Sequence, residues 1–115
     1  MPSENLQIVT SEGSFGKKIF SLKGPLTIDT VVKFQDALRS ESSPALILDF
    51  TEVPFIDTSG LSALVAAHVS ARKSDRKILF AAFNSQAQAA LELTHLNQVF
   101  PTYHTLQDAE AAVAA

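Results

Sequence analysis

The stretch Ala45–Leu64, ALILDFTEVPFIDTSGLSAL, decides how the rest of the chain is read. It opens on an apolar run, Leu46-Ile47-Leu48, that ends in Asp49, and resumes after Pro54 with Phe55-Ile56. A polar knot follows, Asp57-Thr58-Ser59-Gly60. From Leu61 the apolar residues take helical spacing. Leu46–Phe50 therefore reads as a buried central strand, and the next helix runs from about Ser59 to Lys73 with Leu61, Leu64, Val65 and Val69 as its inward stripe. Arg72 and Lys73 fall in its last turn, where positive charge suits the helix dipole.

Upstream, Leu6–Thr10 alternates as a short strand, Ser11–Ser14 is a turn, and Lys17–Leu22 is a second strand pairing with the first as an antiparallel hairpin. Gly24-Pro25 ends it. Thr27 and Asp29 are both candidate caps for a helix whose apolar positions are Val31, Phe34, Ala37 and Leu38; it should stop near Glu41–Pro44. Downstream, Lys77–Phe83 reads as another buried strand. Asn84 or Ser85 caps a helix carrying Ala87, Ala90 and Leu91, extending toward Leu93-Thr94. Val99-Phe100 reads as a short last strand. Thr105 caps a final helix with Leu106, Ala109 and Val113 inward, and Ala109–Ala115 reads as its tail. Strands alternating with helices argue for an α/β fold: a mixed sheet of about five strands, the first pair antiparallel and the rest mostly parallel, with about four helices mainly on one face.

The totals exclude several classes of function. A chain of 115 residues is expected to be one domain, 1–115, and to bury roughly two-thirds of its unfolded surface without help from metal or disulfide. It has no cysteine, which removes a thiolate nucleophile, a cysteine zinc site and a disulfide scaffold. The formal net charge is -3, so no basic face for nucleic acid is evident. Met1–Asn5 has neither the basic nor the apolar part of a secretory signal, and no apolar run approaches the ~20 residues that span a bilayer. The expectation is a cytoplasmic protein with no membrane insertion, no metal and no cofactor.

Asp57-Thr58-Ser59-Gly60 supports two readings. The plainer one is capping: side-chain oxygens accept from the first N–H groups of the helix, and Gly60 allows a close approach of chain. The sharper one starts from the same geometry. A hydroxyl at a helix N-terminus is exposed and sits where negative charge is tolerated. Phosphorylation there adds about -1.5 to -2 charges and changes the surface offered to a partner while the core stays as it is.

The residues LILDFTEVPFIDTSGLSAL resemble the signature of the STAS domain family, which includes anti-sigma-factor antagonists and the cytoplasmic tails of sulphate transporters. Leu22-Lys23-Gly24-Pro25-Leu26 resembles the family's second strand and its Gly-x-Leu exit, LELTHLNQVF (Leu91–Phe100) its third helix and return to the sheet, and Thr105–Ala112 its last helix. The resemblance implies the STAS fold and a non-enzymatic anti-sigma-factor antagonist. Unphosphorylated, it binds an anti-sigma factor that is also a serine kinase of histidine-kinase-like ATPase fold. Phosphorylated, it is released, and a serine phosphatase restores it. By position the acceptor is Thr58, with Ser59 as the alternative. Asp57, Thr58, Ser59, Gly60, Leu61, Gly24 and Thr27 are the expected partner-binding residues. The resemblance also admits a non-switching binding module, for example a subunit of a membrane-lipid transport complex. Three positions depart from the pattern. Thr58 stands where serine is usual, Thr27 where an aspartate commonly follows the exit, and Ser74-Asp75-Arg76 replaces a Gly-rich turn.

Other chemistries fit less well. A phosphoaspartate receiver with Asp49 as acceptor requires an acidic pair after the first strand and a lysine after the last; only Glu12 is placed for the pair, and no lysine follows Phe100. A serine hydrolase requires a Gly-x-Ser-x-Gly elbow and a histidine tied to the serine. Ser59 lacks the elbow, and no spacing ties His68, His95 or His104 to it. His68 falls on the flank of the helical stripe, as a partly buried helix residue does. The scattered Gly13, Gly16, Gly24 and Gly60 form no phosphate loop.

Overall fold

A computed structural model describes residues 5–13 and 16–114. Met1–Glu4, the expected turn residue Ser14, Phe15, and Ala115 at the end of the expected helix tail lie outside the described residues. The elements are β1 (Gln7–Glu12), β2 (Lys18–Lys23), α1 (Val31–Arg39), β3 (Ala45–Glu52), α2 (Thr58–Lys73), β4 (Lys77–Ala81), α3 (Ser85–Leu93), β5 (Thr102–Tyr103) and α4 (Leu106–Ala114). A 3-10 turn, Leu96–Gln98, precedes β5.

The strands lie side by side in chain order, β1-β2-β3-β4-β5. β1 and β2 are antiparallel, and each later neighbour is parallel. This is the mixed sheet that the alternation of elements predicts. Each parallel step moves one strand in the same direction. Right-handed crossovers, which strand twist strongly favours, then put every connecting helix on the same face. Accordingly α1, α2 and α3 share one core. Helix α4 packs on the opposite face, against β3, β4 and β5.

Strand β3 explains its own unbroken apolar sequence. Leu46, Leu48 and Phe50 enter the core under α1–α3, whereas Ile47 enters the smaller core under α4. Successive side chains point to opposite faces, and both faces are covered, so no polar alternation is needed. Phe50 stacks on Phe83 at 4.4 Å, and Phe80 on Phe100 at 4.5 Å. Buried Lys17 donates from Nζ to the Glu110 carbonyl at 2.9 Å, tying α4 to the start of β2.

Four details differ from the sequence reading. The last strand is Thr102–Tyr103, not Val99-Phe100. The segment before it coils into the 3-10 turn, leaving Val99 exposed and Phe100 buried. Val69 is 44% exposed, because α2 buries Gly60, Leu64, Ala67 and Ala71 and thereby turns Val69 to the far side. Ser11 and Glu12, expected in a turn, extend β1 and pair with Ile19 and Lys18, whereas α3 runs to Leu93 as expected. Finally, α1 begins after Thr30, not after Thr27 or Asp29, and its N-cap makes no side-chain capping bond. Asn84 caps α3 by accepting from Ala87 at 2.9 Å, and Thr105 accepts from Asp108 at 3.0 Å at the start of α4.

Candidate functional site

Two loops meet at the C-terminal ends of β2 and β3. Beyond the strands, the two chains stay paired. Gly24 donates to the Glu52 carbonyl at 3.0 Å, Leu26 to that of Phe55 at 3.0 Å, and Asp57 to that of Leu26 at 3.2 Å. Gly24 has φ +122, and a Cβ on it would stand 2.1 Å from the Asn5 carbonyl oxygen, so only glycine fits. Gly60 has a different reason. A Cβ there would stand 2.4 Å from the Leu26 carbonyl oxygen, so its bare Cα lets the β2–α1 loop lie against the first turn of α2.

Asp57 holds this junction. As N-cap of α2 it accepts from the Gly60 N–H through Oδ1 at 2.9 Å. Its Oδ2 accepts from the Ile28 N–H at 3.1 Å. Both oxygens thus bind backbone N–H groups, so Asp57 serves as an anchor. Thr58 is the first residue of α2 and is exposed, and Ser59 is half-buried. Neither hydroxyl hydrogen-bonds to any described residue. Among the described residues no side chain accepts a hydrogen bond from the Thr58 hydroxyl. The first-turn N–H groups beside it offer the partial positive charge of a helix start.

The remaining predicted site residues separate by depth. Gly60 and Leu61 are buried beneath the hydroxyls, and Gly24 is half-buried at the loop exit. Thr27 is buried as well. Its Oγ1 accepts from the Asp29 N–H at 3.3 Å, and its N–H donates to Thr30 Oγ1 at 3.0 Å. Thr30 Oγ1 in turn donates to the Pro25 carbonyl at 2.8 Å. Thr27 therefore shapes the loop from within, and Ile28 and Asp29 form its outer surface.

The sequence reading passed over three residues here. Ile28 is 65% exposed, Val32 62% and Phe55 46%. Ile28 and Phe55 sit on the two segments that Asp57 joins, and Val32 follows Ile28 by one helical turn. Large apolar side chains inside turn-forming sequence, Thr27-Ile28-Asp29 and Pro54-Phe55, were the available signal, since turns are ordinarily polar.

Asp49 is engaged locally, accepting from the Thr51 N–H at 3.0 Å and the Thr51 hydroxyl at 2.6 Å. Among the described residues no cluster of metal-ligating side chains occurs, and no helix is long and apolar enough to cross a membrane. His68 lies in the later half of α2. Burial pushes its imidazole below the ordinary pKa, and the nearby Arg72 charge adds to the shift.

A model of the STAS domain matches residues 5–109, and the chain belongs to the STAS domain family. Solved structures agree. An anti-sigma factor antagonist from Mycobacterium paratuberculosis is 26% identical over 96% of this chain and 95% of its own, with a TM-score of 0.86. A sulfate transporter family protein from Wolinella succinogenes is 21% identical over 89% of this chain and 88% of its own, TM-score 0.73. The Bacillus cell fate determinant SpoIIAA in its phosphorylated form is 14% identical over 93% of this chain and 99% of its own, TM-score 0.68. The last two likenesses speak for the fold alone.

Proposed function

We infer that this protein is an anti-sigma-factor antagonist working by partner switching, with Thr58 as phosphoacceptor. The observation that carries this reading is the Thr58 hydroxyl: exposed, hydrogen-bonded to none of the described residues, and set on the first turn of a helix whose cap is occupied by Asp57. An outside kinase can reach it, and the added dianion meets the positive end of α2. The likeness to an anti-sigma factor antagonist supports the same assignment.

The surrounding surface gives the switch its sign. Ile28 and Phe55, exposed on the two segments that Asp57 joins, offer a partner an apolar patch near Thr58. Unphosphorylated, the patch docks the anti-sigma factor. A phosphate at Thr58 must be desolvated in that interface, and it repels any acidic group opposite. The modified protein is released until a serine phosphatase removes the group.

The test is incubation with ATP and a candidate anti-sigma factor of histidine-kinase-like ATPase fold, followed by intact-mass measurement and peptide mapping. One added phosphoryl group on Thr58, absent in Thr58→Val and present in Ser59→Ala, is expected. A label on Ser59 would move the acceptor by one residue. Membership of the STAS family also admits a second reading, a non-switching module such as a subunit of a membrane-lipid transport complex. On that reading the same rim binds its partner permanently, and Thr58→Asp leaves the wild-type complex intact.

A further inference from the structure

The far end of α2 borders a cavity at the outer edge of β4. β5 pairs with β4 only at Phe80 and Ala81. On this edge Phe80 donates to the Pro101 carbonyl at 3.0 Å and Ala82 to that of Tyr103 at 2.9 Å. Alternation along a strand points the N–H and C=O of Ile78 to the same edge, two residues earlier. There the ladder stops. Extending the register places Pro101 opposite the Ile78 carbonyl, and proline has no N–H to give. The preceding residues have already coiled into the 3-10 turn.

This bare edge lines a cavity of about 290 Å³ between α2 and α4, near the lower end of the range of roughly 300–1,000 Å³ for small-molecule sites. Ala71, Ile78, Leu79 and Val113 make its walls apolar. Its charged lining is of one sign, Arg72, Arg76 and Lys77, with no acidic side chain. None of the three takes part in an ion pair among the described residues, although Arg76 Nε donates to the Ser43 carbonyl at 2.9 Å. This is unusual in a chain whose formal net charge is -3. His68 borders the same cavity, and its Nε2 is buried without a hydrogen-bond partner among the described residues.

We propose that this cavity binds an aliphatic carboxylate, its apolar tail against Ile78, Leu79 and Val113 and its anionic head among Arg72, Arg76 and Lys77. The walls remove the tail from water. The cations make charge-assisted hydrogen bonds to the head, and the bare β4 edge offers a further donor, the Ile78 N–H. The site lies about 20 Å from Thr58 along α2, at 1.5 Å per residue. It is independent of the assignment of Thr58.

Octanoate is a suitable probe, titrated into the full chain and followed by backbone amide NMR, with octanol as the uncharged control. Saturable shifts at Ile78, Leu79 and Val113 are expected, with Thr58 unmoved. The double variant Arg72→Glu/Lys77→Glu should lose affinity by roughly tenfold or more, as loss of charge-assisted contacts implies. Both side chains are exposed, so the fold should survive. If the reversed charges disturb it, Arg72→Gln/Lys77→Gln decides instead, with the same direction of loss. Octanol binding as tightly as octanoate, charge variants binding like wild type, shifts centred on Ile28 and Phe55, or no saturable shift would each overturn the proposal.

Discussion

The Asp57 carboxylate reaches out of its own helix to the backbone of Ile28, accepting from that N–H at 3.1 Å while its other oxygen caps Gly60. One side chain thus fixes both the start of α2 and the loop that carries the exposed Ile28. Together with the backbone bonds between the two loops, it holds Ile28 in register with the first turn of α2.

Asp57→Ala removes both bonds. Loss of an N-cap alone costs about 0.5–2 kcal/mol, and the freed Ile28 N–H adds to it. A lower urea midpoint with an unchanged m-value is expected, together with faster amide exchange at Ile28 and Gly60. Asp57→Asn keeps an oxygen for one N–H and should recover part of the loss. An Asp57→Ala midpoint equal to wild type would mean that the tie contributes nothing.

Gly60→Ala should destabilise, although alanine in a helix is ordinarily better than glycine by about 1 kcal/mol. The new methyl would stand 2.4 Å from the Leu26 carbonyl oxygen and 2.8 Å from Ile56 Cγ2. Overpacking of this kind costs about 1–3 kcal/mol and outweighs the propensity gain. Chemical denaturation reads the sign directly; a stabilised variant would show that the β2–α1 loop yields easily.

Thr58→Asp separates folding from binding. A carboxylate on the first turn of α2 should leave stability unchanged or raise it by about 0.3–1 kcal/mol. The same substitution should weaken capture of a candidate anti-sigma factor. Thermal unfolding checks the first outcome and a pull-down the second. A variant that binds like wild type would remove the support for switching at this residue.

Acid acts at two places with different windows. The folded-state pKa of His68 is lowered, first by burial and then by Arg72. The unfolded chain therefore takes up a proton there more readily, and stability should fall as pH drops below the ordinary histidine value of about 6.5. Above that value His68 is neutral in both states and contributes no slope. Glu41 is lowered first by the Ser43 hydroxyl. Its contribution is present above the ordinary glutamate range and is lost as pH falls through the folded value. A series of denaturation curves against pH checks both, and His68→Gln should flatten the upper window alone.

The sheet was readable because β3 and β4 carry unbroken apolar runs and the loops between elements carry Gly24-Pro25, Asp57 and Asn84. These signals are local, and the physics that acts on them is local. β5 was misplaced because two residues are too few for any periodicity, and what ends its ladder is a missing N–H on Pro101. Val69 was misread because burial depends on which helical stripe meets the sheet, and Ala67 and Ala71 look neutral in sequence. At the site, capping by the Asp57-Thr58-Ser59 knot was legible, and Asp57 is the residue that does it. Its bond to Ile28 joins residues 29 apart in the chain, and no pattern within either segment announces it.

Because each strand of the sheet lies beside the one synthesised just before it, the domain can be laid down by accretion as the chain leaves the ribosome. No strand has to wait for a distant partner, so the loop-closure entropy is met in small instalments. Helix α4 comes after all five strands and closes over the opposite side of a sheet whose strands are already in place.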